Sequence, residues 1–172
     1  LWLPNAERKD SQWLCFIGKI PMKEFLGKEL ATTPWPIKDS SGKILWTHPW
    51  ALFYTIGQRE WIGLSGWPRF VVEKNIQTNE LIVGHEDDPR LWSSTVIVTE
   101  RQWSGQAYKL PLEASTKLRY RQPDQPCVIT TNTAGDILLH FSSPQRAVTP
   151  GQIAVVYQDD LLLAQGVISS TY

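Results

Sequence analysis

The sequence predicts a mainly β protein of the α+β class, with a short N-terminal helix, a small central domain and a closed antiparallel β-barrel. Short runs of Val, Ile, Leu and Thr recur in the second half of the chain between turn-forming residues, a pattern typical of short strands. Strands at this spacing favour a closed barrel or a sandwich, and closure removes the unpaired edge of an open sheet. All nine tryptophans lie at or before Trp103, so the two halves differ in composition.

These differences divide the chain into three predicted segments. We expect a linker and helix over residues 1–30, a central domain over residues 31–91 and the barrel over residues 92–172. The last boundary follows the sequence Asp87-Asp88-Pro89. Because the chain begins with Leu1 rather than Met, we expect a fragment or a cleaved product.

The composition excludes several classes of protein. The 172 residues include 17 Lys+Arg and 17 Asp+Glu, so there is no basic excess of the kind that marks a wholly electrostatic nucleic-acid binder. With 42% hydrophobic and 20% charged residues, bulk disorder is excluded. No apolar run approaches the roughly 18 residues of a membrane span, and two cysteines cannot form a disulfide framework.

The helix is predicted over residues 21–30. Pro21 suits the first helical position, where its missing N–H is not needed. The apolar residues recur at spacings of three and four and form one stripe: Met22, Phe25, Leu26 and Leu30.

The strands are predicted from β-rich runs between turns. Phe70–Glu73 and Glu80–Val83 read as a hairpin across a polar connection. The remaining predicted strands are Thr95–Thr99, Leu118–Gln122, Cys127–Thr131, Asp136–Phe141, Ile153–Tyr157 and Leu161–Ala164.

The two cysteines differ in their surroundings. Cys127 lies within a strand pattern and is interpreted as a small buried hydrophobe. Cys15 lies between Leu14 and Phe16, a context that fits either a buried or a reactive thiol. The three histidines are dispersed without metal-ligand spacing, so we expect no metal site. The chain also has no glycine-rich phosphate loop, so we expect no nucleotide site of its own.

Two further segments are candidates for ligand contact. If residues 117–121 form a strand, Lys117, Arg119 and Arg121 share one face, where they could bind phosphate or simply form a solvated basic surface. Tyr120 could stack on an unpaired base. The stretch 54–59 ends a strand-like run at Gly57; such a loop approaches a ligand closely or packs between domains.

Taken in order, six motifs resemble the tRNA-specific 2-thiouridylases over almost the whole chain. They are Lys9-Asp10-Ser11 with Cys15-Phe16-Ile17-Gly18, Phe25-Leu26-Gly27, Phe53-Tyr54-Thr55-Ile56-Gly57-Gln58-Arg59, Arg119-Tyr120-Arg121-Gln122-Pro123-Asp124 with Pro126-Cys127, Ala147-Val148-Thr149-Pro150-Gly151-Gln152, and Gly166-Val167-Ile168.

The resemblance implies an enzyme that adenylates the C2 oxygen of the wobble uridine of tRNA and replaces it with sulfur from a cysteine persulfide. Family members have an N-terminal ATP-pyrophosphatase domain with a Ser-Gly-Gly-x-Asp-Ser loop, a central domain and a C-terminal barrel. That loop does not occur in the printed sequence. We therefore expect ATP and Mg to be bound in that missing domain, no cofactor in this chain, and no activity from it alone.

The resemblance also assigns residues and partners. Cys15 matches the persulfide-carrying cysteine, and Arg119, Tyr120 and Gln152 match contacts to tRNA. The implied partners are tRNA and a persulfide sulfur-donor protein, and we expect a cytoplasmic monomer that does not bind a membrane. Gln12-Trp13 stands where the family usually has Thr-Gly, just before the cysteine. A non-catalytic RNA-binding module is the alternative.

Overall fold

The computed structural model describes residues 27, 34–59, 68–105, 108–119 and 122–172. The segment Leu1–Thr33 forms one compact unit and Pro34–Tyr172 another. Apart from Gly27, the predicted N-terminal helix lies outside the described residues, as does Cys15, and both stay predictions. The account below concerns the second unit.

The first four strands form a mixed sheet, which we call the small sheet. The strands are β1 (Trp35–Asp39), β2 (Ile44–His48), β3 (Phe70–Asn75) and β4 (Glu80–Gly84), in the order β2-β1-β4-β3. The predicted hairpin is confirmed, because β3 and β4 pair antiparallel with Phe70 opposite Gly84. β1 pairs parallel with β4 and antiparallel with β2. One apolar cluster forms the core of this sheet: Ile37, Tyr54, Val71, Leu81 and Val83.

The next six strands close into an antiparallel barrel, as the sequence predicts. They are β5 (Trp92–Trp103), β6 (Leu112–Lys117), β7 (Gln125–Thr131), β8 (Ile137–Arg146), β9 (Ile153–Gln158) and β10 (Leu161–Thr171), in the order β10-β5-β8-β7-β6-β9. Alternate residues of each strand point inward; in β7, for example, Cys127 and Ile129 are buried while Val128 is exposed. These inward side chains form the main apolar core of the protein.

A short 3-10 helix, Pro89–Leu91, leads from the small sheet into the barrel; another, Ala51–Phe53, precedes the 54–59 loop. The Asp88 carboxylate accepts hydrogen bonds from the Arg90 backbone and side chain, and Arg90 also reaches Glu73 and Ser40. The Arg90 guanidinium lowers the pKa of Asp88 to about 2. Asp88 is therefore ionised at neutral pH, and its hydrogen bonds hold the start of the 3-10 helix that connects the small sheet to the barrel.

One predicted strand, Leu118–Gln122, is wrong. β6 ends at Lys117, and the next two residues form a bend in which the Gln122 side chain accepts the backbone N–H of Leu118 at 3.0 Å. A side chain thus supplies the partner that a neighbouring strand would have supplied. Because the strand ends at Lys117, its alternation does not continue to Arg119, so the interpretation of residues 117–121 as one basic strand face is wrong for the described residues, and Arg121 lies outside them. Lys117 Nζ lies 3.5 Å from Asp124 Oδ1.

His48 provides a test of the packing of the small sheet. It is 2% exposed and lies edge-on to Tyr54. Burial lowers the pKa of His48, and the backbone of Trp50 and Asn79 offsets only part of that effect. The folded protein therefore prefers neutral His48, whereas the unfolded chain binds a proton below its ordinary pKa of 6.5. Neutral His48 therefore makes its full contribution to the free energy of unfolding above pH 6.5, and this contribution is lost as the pH falls below that value.

We expect the free energy of unfolding to fall more between pH 7.5 and 5.5 in the original protein than in His48→Phe, which lacks the titrating group. Urea unfolding at the two pH values measures the difference. His85→Gln, at an exposed histidine, is the control. If the original protein and His48→Phe show the same pH dependence, neutral burial of His48 is disproved.

Candidate nucleic-acid interface

Arg119 and Gln152 lie at the same end of the barrel. Because all six strand pairings are antiparallel, β6, β8 and β10 end where β5, β7 and β9 begin. Arg119 follows the end of β6, and Gln152 immediately precedes β9. We call this the arginine end of the barrel. Tyr120, the third residue assigned to tRNA by resemblance, lies outside the described residues.

Arg119 connects two loops of the arginine end. Its guanidinium Nη2 donates hydrogen bonds to the carbonyl oxygens of Arg146 and Ala147. Arg119 is half-buried, and burial lowers its pKa, with a smaller contribution from the positive charge of Arg146. Since arginine remains protonated in proteins, Arg119 holds a positive charge against the start of the 147–152 loop.

The small sheet packs against the same loop. Gly57 donates its N–H to Val71 at 2.7 Å, which anchors the 54–59 loop to β3. A Cβ added to Gly57 would lie 2.4 Å from the Cβ of Ala147. Phe70, Val72 and Leu91 form an apolar cluster with Ala147. Of the two interpretations of this glycine loop, the structure therefore shows packing against the barrel.

Arg146 is the second arginine of this end. Its guanidinium lies over the ring of Phe70, 4.5 Å from the ring centroid. Nη2 is 3.7 Å from Glu86 Oε1, a carboxylate whose side chain is 70% exposed. Arg146 Nε and Nη2 are both buried and have no hydrogen-bond partner in the described part of the chain. An exposed carboxylate beyond hydrogen-bond distance compensates a guanidinium only weakly.

Between the β6–β7 connection and the end of β8 lies a cleft of about 510 Å³. We call it the arginine–glutamine cleft. It is lined by Arg119, Gln122, Pro123, Gln125, Ser143, Pro144, Gln145 and Arg146. None of the described residues that line it is acidic, although acidic and basic residues are equal in number in the whole chain. The cleft is thus a local concentration of positive charge and amide groups.

Gln152 occupies the end of the 147–152 loop. Its backbone carbonyl accepts the N–H of Ile168 at 2.8 Å, which ties the loop to β10. Its side-chain Oε1 is buried without a hydrogen-bond partner among the described residues. A buried unpaired amide oxygen costs about 1–3 kcal/mol, so this position is held by the loop and not by its own side-chain bonding.

Cys127 is confirmed as a buried hydrophobe of the barrel. It is 6% exposed and packs in the main core. Burial raises the pKa of its thiol to about 11. Cys127 is therefore a thiol at neutral pH and lacks the thiolate that persulfide chemistry needs.

Sequence reasoning did not single out three residues that line the cleft: Gln125, Gln145 and Arg146. Gln145-Arg146 directly precedes the Ala147–Gln152 motif, and Gln125 directly follows the Arg119–Asp124 motif, so adjacency was the available signal. Over the described ranges, no group of three or more His, Cys, Asp or Glu side chains is arranged to hold a metal ion. No helix in the described part has the length and apolar composition needed to cross a membrane.

The fold agrees with comparisons to known families. Residues 23–85 match the tRNA methyl transferase PRC-barrel domain, and residues 93–168 match the aminomethyltransferase β-barrel domain. The chain therefore falls in the class of proteins that join these two domains in this order.

Relatives narrow the class to one family. The tRNA-specific 2-thiouridylases MnmA of Ralstonia nicotianae and Alkalilimnicola ehrlichii are 41% and 39% identical, each over 98% of this chain and 48% of the relative. That of Paraburkholderia xenovorans is 44% identical over 96% of the chain and 46% of the relative. The chain belongs to the tRNA-specific 2-thiouridylase family, and it spans about half the length of the curated relatives it matches.

The contact between Gly57 and Ala147 can be tested by substitution. We expect Gly57→Ala to lower the free energy of unfolding by about 2–4 kcal/mol, because it adds overpacking to a positive-φ penalty. Gly42→Ala is the matched control: Gly42 also has positive φ (+85° against +81°), but an added Cβ would meet nothing within 4 Å. Urea unfolding measures both. Adding Ala147→Gly to Gly57→Ala should recover part of the lost stability. Equal losses of stability in Gly57→Ala and Gly42→Ala would contradict the contact.

Proposed function

We propose that this chain is the tRNA-binding and sulfur-carrying part of a tRNA 2-thiouridylase. Family membership and the ordered motifs support the proposal. The observation that carries it is the arginine end of the barrel, where Arg119 lines a cleft of arginines and glutamines and Gln152 lies at the same end. In this proposal Arg119, Tyr120 and Gln152 contact tRNA.

Cys15 is proposed as the cysteine that carries the sulfur. A sulfur-donor protein would transfer its terminal persulfide sulfur to the Cys15 thiolate. That sulfur would then attack C2 of the adenylated uridine and AMP would leave. A second thiolate would attack the Cys15 sulfur, which forms a disulfide between the two cysteines and leaves the outer sulfur on C2. The only other cysteine of the sequence, Cys127, is buried with a raised pKa, which favours Cys15 for this role.

The chemistry that activates the uridine is assigned to a part of the enzyme outside this sequence. ATP and Mg would be bound there, and the 172-residue chain alone would thiolate no tRNA. The barrel would hold the body of the tRNA while the target uridine leaves its stack. We further propose that the enzyme is a cytoplasmic monomer.

A non-catalytic RNA-binding module is the second candidate. The observation that favours it is Gln12-Trp13 in place of the family's usual Thr-Gly, because Trp adds bulk just before Cys15. The arginine end does not depend on Cys15, so tRNA binding would survive in such a module while sulfur transfer would be lost.

The cysteine assignment is tested in the complete enzyme. Cys15→Ser should reduce the 2-thiouridine content of tRNA to background, because a hydroxyl cannot hold a persulfide, and should leave tRNA affinity within about twofold. Cys127→Ser should keep most activity at a stability cost of about 1–3 kcal/mol. Mass spectrometry of digested tRNA measures the product. Equal loss in two folded variants would disprove the division of roles, and normal tRNA binding with no thiolation by the original enzyme would establish the non-catalytic module.

The tRNA contacts are tested by the salt dependence of binding. Arg119→Ala should weaken tRNA binding and reduce the slope of log affinity against log salt by about 0.7–0.9, the value for one phosphate contact. Tyr120→Ala should weaken binding with little change in slope, because a neutral contact releases no counterion. Melting temperatures of the variants show whether removing Arg119 also destabilises the 147–152 loop, to which its guanidinium is hydrogen-bonded. Unchanged affinity in both variants would contradict the assignment.

A further inference from the structure

The arginine–glutamine cleft contains groups that the proposed tRNA contacts do not use. We propose that it holds a phosphodiester group of the RNA backbone, with Arg146 supplying the charge and Gln125 an amide contact. This inference rests on the proposed function and adds two residues to the interface.

The charge of Arg146 is the first argument. Arg119 uses its Nη2 for two carbonyl oxygens of the loop. Arg146 lines the cleft with a side chain that is 29% exposed. Its Nε and Nη2 have no hydrogen-bond partner among the described residues, and the carboxylate that faces it, Glu86, is 3.7 Å away and exposed. The exposed part of such a guanidinium can form charge-assisted hydrogen bonds with a phosphate.

The pairing of the two arginines is the second argument. Both side chains line the same cleft. Burial is the main cause that lowers the pKa of Arg119, and the positive charge of Arg146 lowers it further. An anion bound between the two guanidinium groups reduces their repulsion. Asp124, the acidic residue nearest to Arg119 in the sequence, is paired with Lys117 and does not line the cleft.

The lining of the cleft is the third argument. Gln122 and Gln145 are joined by a hydrogen bond of 3.3 Å, which fixes one wall. Gln125 donates Nε2 to the Pro123 carbonyl at 2.9 Å and is only partly buried at the start of β7. A volume of about 510 Å³ far exceeds that of a single phosphate ion, so the cleft fits a stretch of nucleic-acid backbone.

The decisive experiment adds a negative charge to the cleft without removing a positive one. Gln125→Glu keeps the size of the side chain, and Gln165→Glu makes the same change at an exposed residue of β10, paired with Gln102 near the opposite end of the barrel. The probe is an unmodified tRNA transcript, and its affinity for the complete enzyme is measured at several salt concentrations. We expect Gln125→Glu to weaken binding about three- to tenfold at low salt, less at high salt, and Gln165→Glu to change it less than twofold.

Arg146 is tested by a second pair of variants. Arg146→Gln should reduce the salt slope by about 0.7–0.9, and Arg146→Lys should restore the slope with weaker affinity, because lysine keeps the charge but not the bidentate geometry. Arg101→Gln, at an exposed residue near the opposite end, should leave both unchanged. Melting temperatures separate these effects from lost packing of Arg146 on Phe70.

Several outcomes would overturn the inference. If the complete enzyme binds tRNA but Gln125→Glu behaves like Gln165→Glu, the cleft is not a backbone site and the proposed function stands. If the complete enzyme neither binds nor thiolates tRNA, the proposed function itself fails. Titration with sodium phosphate, against sodium chloride at equal ionic strength, distinguishes the source of the phosphate. Weaker tRNA binding by Gln125→Glu supports RNA backbone, whereas phosphate binding in the cleft combined with unchanged tRNA affinity of Gln125→Glu would assign the cleft to a free anion.

Discussion

The missing side chain at Gly57 is the constraint on which the arrangement of the small sheet and the barrel depends. Gly57 lets the 54–59 loop approach Ala147 more closely than two Cβ atoms allow. Ala147 in turn donates its N–H to the carbonyl of Leu91 and receives Arg119 on its own carbonyl. One close contact therefore fixes the sheet, the connection between sheet and barrel, and the loop that carries Gln152.

Antiparallel closure explains how residues far apart in the sequence reach one surface. Arg119 follows β6, Arg146 ends β8 and Gln152 precedes β9, and the alternation of the six strands brings all three to the arginine end. The interior supports this arrangement: alternating inward residues such as Ile129 and Leu139 fill the barrel, so its ends keep their spacing. The proposed binding surface thus consists of loops and strand ends positioned by a rigid core, a common solution in binding proteins.

The sequence carried the hairpin β3–β4 and most barrel strands because their β-branched and aliphatic runs are unambiguous. It did not reveal β6 (Leu112–Lys117), whose Glu, Ala and Ser are weak strand formers and whose pairing with β7 and β9 decides the structure. It placed a strand at Leu118 because a local side-chain hydrogen bond was not foreseeable. Arg119 and Gln152 came from motif resemblance, whereas the importance of Arg146 depends on its contacts with Phe70 and Glu86, which no local pattern encodes.

The first and last strands of the barrel are direct neighbours. Tyr172 and Thr95 exchange backbone hydrogen bonds in both directions, at 2.8 and 3.0 Å. Joining Tyr172 to the start of β5 would therefore need only a short linker, and new termini could be opened in a loop at the end opposite the arginines. A circularly permuted barrel of this kind could be inserted into a surface loop of a host protein, since insertion is tolerated where entry and exit points are close.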